Sequence, residues 1–314
     1  MKLDIQPDSW LFCINRFNFP AACAQNDIIL DRDFTAQNLC DLIQNSNRYH
    51  SDFGIFLNFP SQNTLWSKEQ SHSSDTQHAL IRNYLNHVIS EIHLLGRLIP
   101  KTRQVSFMYW QAGFLTYLST AEWTELMYTL NKSFNLRSHP ERRLIAELDS
   151  FPQEEADLAL LTGLGFTHLG LRYEEKTDQF SEQIKLIRSY GMNVILDMSV
   201  ILTPLANDKQ ADTLRTLIRA GANNLCCCDA ASASSGIVRQ VALEEGMHHV
   251  STNDYSHNIT PEYQVNTDII GMGTHAMTLI DNCICISADQ LDQYYQKLEC
   301  NTLPLQYAGY IKTL

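Results

Sequence analysis

Short apolar runs alternate with amphipathic helical stretches along most of this chain, and that alternation limits the fold more than any other feature. Residues 53–59 (FGIFLNF) read as a buried strand. Residues 76–99 then read as a long helix. Its Leu80, Ile81, Tyr84, Leu85, Val88, Ile89, Ile92 and Leu95 form one continuous stripe, and Pro100 stops it. The unit recurs, with strands at 105–110, 144–148, 168–171, 194–198, 224–228 and 267–271. Helices fall at 120–134, 153–164, 181–190, 209–220, 235–245 and 288–299, the first of them capped by Ser119 or Thr120. Three helices end in a glycine just ahead of the next strand: Gly165, Gly191 and Gly221.

Strand–helix–strand repetition enforces parallel pairing with right-handed crossovers. Six such units predict an α/β fold, a partial parallel (β/α)6 barrel, with an open doubly wound sheet as the alternative. Residues 1–52 are expected to be an N-terminal extension packing on the barrel. Residues 53–314 are expected to hold the barrel and a C-terminal extension, with no second core. A parallel barrel does its chemistry where strands run into loops at the C-terminal rim.

A length of 314 residues suits such a barrel, and 44% apolar residues suffice for a sizeable core. The net charge of −12, without a basic run, argues against a nucleic-acid partner. No apolar run is long enough to span a membrane, so no membrane partner is expected. The first dozen residues hold Asp4 and Asp8 and no long apolar stretch, which predicts no signal peptide and a cytoplasmic location. Nine cysteines, an odd count, then read as free thiols.

Several rim segments resemble those of the oxygen-independent coproporphyrinogen III oxidases, which are radical S-adenosylmethionine (SAM) enzymes. The segments are TDIIGMGTHAMTLIDNC near the C-terminus followed by LDQYYQKL, RFNFP at 16–20, and FMYWQAGFLTYLSTAEWTELM across the second strand. The resemblance runs from Arg16 to the end and implies the radical SAM type of partial barrel, without the family's C-terminal helical module. Gly271 and Gly273 match the glycines at which the family turns after a late strand.

The departures bear on chemistry. The family holds a [4Fe–4S] cluster on a Cys-x3-Cys-x2-Cys loop after the first strand. Here the loop reads NFPSQNTLWSKEQ, with Gln62, Trp66 and Glu69 at the ligand positions, and these are not thiolates. Cys226, Cys227 and Cys228 are consecutive on a strand, so they point to opposite faces. Cys13 with Cys23, and Cys283 with Cys285, are pairs without a third partner. The family's Gly-Gly-Gly-Thr-Pro turn, which approaches the SAM amino group, is Gln111, Ala112, Gly113, Phe114 and Leu115 here. A vestigial SAM site would comprise Gly113, Glu147, Asp197, Gly271 and Gly273. Neither the cluster nor SAM is expected, and no catalytic residue or protein metal ligand is assigned.

The departures from the family lead to the expectation of a non-catalytic protein that binds a ligand or a protein partner at the old mouth. A tetrapyrrole, haem or porphyrin, is the first ligand to test. It would be held by Tyr109, Trp110, Phe114, Arg172, Tyr173 and His275. The alternatives are an enzyme with cluster-independent chemistry at Glu147, Asp197, Tyr173 or His275, a structural partner of a working oxidase, or the oxidase label that homology alone would attach.

Overall fold

The computed structural model describes residues 28–60, 65, 74–137, 142–149, 151, 154–172, 177–197, 207–226, 235–251, 254–257 and 267–311. Strand β1 (Ile28–Asp31) and helix α1 (Ala36–Ser46) precede β2 (Asp52–Leu57). Next come α2 (Ser74–Leu98), β3 (Gln104–Trp110), α3 (Ala112–Tyr117), α4 (Thr120–Ser133) and β4 (Arg143–Leu148). The repeat goes on through α5 (Glu155–Gly163), β5 (His168–Arg172), α6 (Thr177–Ser189) and β6 (Asn193–Asp197). It ends with α7 (Asn207–Ala220), β7 (Ala222–Cys226) and α8 (Ser235–Glu244). The remainder is β8 (His248–Ser251), β9 (Asp254–Ser256), β10 (Asp268–Met272), β11 (Met277–Ile280), β12 (Cys283–Ser287), α9 (Leu291–Glu299) and β13 (Leu305–Ile311). Six strand–helix units therefore follow one another from β2 to α8, as the alternation predicts.

The chain divides into two compact units, and one division falls within β4. One unit joins Asp27–Leu144 to Asn266–Leu314. In it β10, β2 and β3 pair in parallel, with Phe56 beside both Tyr109 and Gly271. On the far side of β10 the strands turn antiparallel in the order β11, β12, β13, β1. The segment 28–46 thus supplies an edge strand and a helix to the unit that holds β2. Ser119 caps α4, with Glu122 returning the bond to the cap backbone. The α2 stripe is buried at Ile81, Tyr84, Leu85, Val88, Ile92 and Leu95, each worth roughly 1.5–3 kcal/mol. The same face also buries Glu91.

At the N-terminal ends of β2 and β10, Arg103 is buried and pairs with buried Asp268 at 2.7 Å. The guanidinium also donates to Asn47 and to the Asp52 carbonyl, and lies over the Phe53 ring. Removing one member of so buried a pair typically costs about 3–5 kcal/mol, because the other charge stays behind.

The second unit includes Ile145–Val265. Strands β4 to β7 pair in parallel in chain order, and β9 and β8 add antiparallel beyond β7. The three glycine stops expected here, Gly165, Gly191 and Gly221, all take positive φ. Among the described residues no helix is long and apolar enough to cross a membrane.

Candidate functional site

The C-terminal ends of β2 and β10 meet at a turn that has no room for side chains. Gly273 has φ +101°, and a Cβ there would lie 2.5 Å from the Tyr84 hydroxyl and closer still to the Asn58 carbonyl. A Cβ on Gly271 would strike the Met277 backbone, with the carbonyl carbon 2.5 Å away. Backbone packing therefore accounts for both glycines without a ligand.

Side chains from α2 and α9 fasten this turn. The Tyr84 hydroxyl donates to the Asn58 carbonyl at 2.6 Å and accepts from the Thr274 amide at 3.2 Å. Asn58 Nδ2 donates to the Thr274 carbonyl at 2.7 Å. Glu91 accepts from the Gly273 amide at 2.8 Å and from the Tyr294 hydroxyl at 2.5 Å, both on Oε2. Burial pushes its carboxyl up to about 7 against the pull of those two donors. Burial likewise raises Tyr84 and Tyr294, which stay protonated donors. The apolar spacing on α2 gives Tyr84 its place but passes over Glu91, whose only sequence signal is a charge on the buried stripe.

Beside this turn, the chain after β3 goes straight into α3. Gln111 Oε1 accepts from the Phe59 amide at 2.7 Å, which draws the end of β2 against α3. The Phe59 ring lies on Gly113, where a Cβ would come within 2.5 Å of Cγ. The same ring meets Phe114 edge-on at 5.1 Å and Tyr84 edge-on at 5.2 Å, and it stacks on Tyr117 at 5.4 Å. Phe59 and Phe114 are buried, the latter completely.

The predicted ligand wall is divided by this packing. Tyr109 stacks on Phe56 at 5.4 Å, whereas Trp110 is the next residue of the strand and so points to the opposite face, toward Phe114. Tyr109 and Trp110 are 1% and 0% exposed, so they are core residues on two faces and do not line one wall. His275 is half-buried at φ +55°, its amide bonded to the Ala288 carbonyl. Burial holds its imidazole below the ordinary value despite Asp289 nearby. In the other unit, half-buried Glu147 lies in β4 opposite Gly170, and Arg172 and Asp197 are register partners at the ends of β5 and β6. Tyr173, Gln62, Trp66 and Glu69 lie outside the described residues, as do Cys13, Cys23, Cys227 and Cys228. Cys226 is buried in β7, and Cys283 and Cys285 share one face of β12 with sulfurs 3.9 Å apart.

Among solved structures, coproporphyrinogen III oxidase HemN from Escherichia coli, described as a radical SAM enzyme, superposes with a TM-score of 0.67. The match covers 93% of this chain and 80% of that one at 17% identity. The fold is HemN-like. It is a partial parallel (β/α)6 barrel, the first of the two folds the alternation allows, and of the radical SAM type that the resemblance implies. HydG, a maturase of the [FeFe]-hydrogenase, matches 69% of this chain and 55% of that one at 11% identity, but its TM-score of 0.33 carries no weight. No family model matches the sequence, and no curated protein matches it.

Within the HemN-like fold, the turn after β10 depends on a carboxyl that is cheaper to bury protonated. Glu91 titrates near 4.5 when unfolded and near 7 when folded. The native state therefore holds the extra proton between those values, and stability declines as pH rises from about 4.5 through 7. The loss at pH 8 is on the order of 3 kcal/mol relative to pH 4.5 from this group. Urea unfolding across that range should show the decline, and Glu91→Gln should flatten it. An unchanged slope in Glu91→Gln would contradict the assignment.

Proposed function

We propose that this chain is a non-catalytic binding protein on a HemN-like fold, carrying neither an iron–sulfur cluster nor SAM. The observation that carries this reading is the Phe59 ring seated on Gly113. Gly113 is the one glycine left of the turn that, by the resemblance, should approach the SAM amino group. A backbone covered by a buried phenyl ring cannot also receive a charged ammonium, because desolvating that charge would have no compensating partner. The donor set agrees. Gln62, Trp66 and Glu69 offer an amide, an indole and a single carboxylate, whereas a [4Fe–4S] cluster needs soft thiolates. The residues present do not fit either group, and no reaction step is assigned through them. Calorimetric titration of SAM into the purified chain should show no saturable heat at micromolar concentrations. A micromolar dissociation constant would overturn the reading and return Glu147 and Asp197 to a binding role.

A second reading, tetrapyrrole binding, is favoured by one residue. His275 stands at the glycine turn with an imidazole that burial keeps neutral at pH 7, the form that ligates iron. The aromatic groups expected to stack on a macrocycle are internal, so this reading rests on His275. Haemin titration should then give a saturable Soret shift that His275→Asn weakens by tenfold or more, Asn being a residue that tolerates φ +55°. Absence of a saturable shift, or an equal shift in the variant, rules tetrapyrrole ligation by His275 out.

A further inference from the structure

At the opposite ends of β2 and β10 from the glycine turn, three side chains distant in sequence converge. His50 precedes β2, Asp268 opens β10 and Asp281 sits at the tip of the β11–β12 hairpin. Each offers one ligand atom, and these atoms all lie within 4.8 Å of one another. His50 Nε2 and Asp281 Oδ1 are 3.4 Å apart. That is long for a charge-assisted hydrogen bond. It suits two donors on one ion at bonds of roughly 2.0–2.2 Å.

Asp268 supplies the second, independent observation. Its side chain is 1% exposed, yet both of its hydrogen bonds, from Ser46 Oγ and Arg103 Nη2, fall on Oδ2. Among the described residues Oδ1 receives no protein donor, although an ionised carboxylate has acceptor capacity on both oxygens. Oδ1 is therefore the oxygen of this carboxylate left for a further ligand. The charges also leave a place for a cation. Arg103 pairs with one carboxylate, Asp281 brings a second, and His50 adds a ring nitrogen.

We propose that His50, Asp268 and Asp281 form a binding site for a divalent cation of the hard, oxygen-preferring class, with water completing the coordination shell. The ion would fasten the β11–β12 hairpin to the starts of β2 and β10. A site at the N-terminal ends of parallel strands serves stability, not chemistry at the rim. The proposal is independent of the functional reading above, since it shares no residue with it.

Mn2+ is the probe, because carboxylate and water ligands suit it and the chain's thiols compete for it poorly. Metal-stripped full-length protein titrated with Mn2+, followed by loss of the free-ion EPR signal, should bind one ion per chain with a dissociation constant below about 100 μM. Asp281→Asn and His50→Gln should each weaken binding at least tenfold. Both positions are at least partly exposed, and Asn tolerates the φ of +53° at position 281, so both variants should fold. Saturating Mn2+ should also raise the thermal midpoint of the wild-type chain but not that of Asp281→Asn. Failure to saturate below about 1 mM, or variants that bind as the wild type does, would overturn the proposal.

Discussion

The first unit of this protein is organised around a carboxyl that water does not reach. Glu91 sits on the apolar stripe of α2, where burial opposes its charge, and it persists because Gly273 and Tyr294 both donate to it. Two helix turns away on the same face, Tyr84 fixes Asn58 and Thr274. Four segments of the chain (the end of β2, α2, the turn after β10, and α9) thus share one hydrogen-bonded centre. The lack of a side chain at Gly273 follows from that centre, and Gly271 is bare because the Met277 backbone packs against it.

Much of the barrel is legible in the sequence because its strands are buried on both faces and its helices on one. Continuous apolar runs and a 3.6-residue stripe are then unmistakable, and β2 through α8 fall within a few residues of the expected positions. The edge of the sheet is less legible. Strand β1 has four residues, with Ile29 turned outward, and nothing local to it signals its pairing with β13. Helix α3 is hidden in a turn because Gln111 and Ala112 continue the chain as a short helix where a loop was expected.

The candidate site is legible only in part, for a related reason. Sequence places Gly113, Gly271 and Gly273 at turns, and turns are where a ligand or another backbone can come close. It cannot say which of the two does. Here neighbouring side chains and backbone occupy the space beside all three, with Phe59 at Gly113 and Asn58 and Tyr84 at Gly273. Nor does it assign faces by itself: the pair Tyr109 and Trp110 reads as one aromatic wall until the alternation of β3 divides it. The cluster of His50, Asp268 and Asp281 has no sequence signal, because its members are joined only by the pairing of β2, β10 and β11.

On the proposed reading, a HemN-like fold persists without a cluster, since the hydrogen-bonded centre at Glu91 and the aromatic packing at Phe59 are made by the chain's own groups. The most direct measurement is anaerobic reconstitution of the full chain with iron and sulfide, followed by iron analysis and absorption spectroscopy after desalting. The account predicts no stoichiometric iron and no broad charge-transfer band near 400 nm, a wavelength given as an approximate marker of such clusters. Close to four irons per chain together with that band would contradict it.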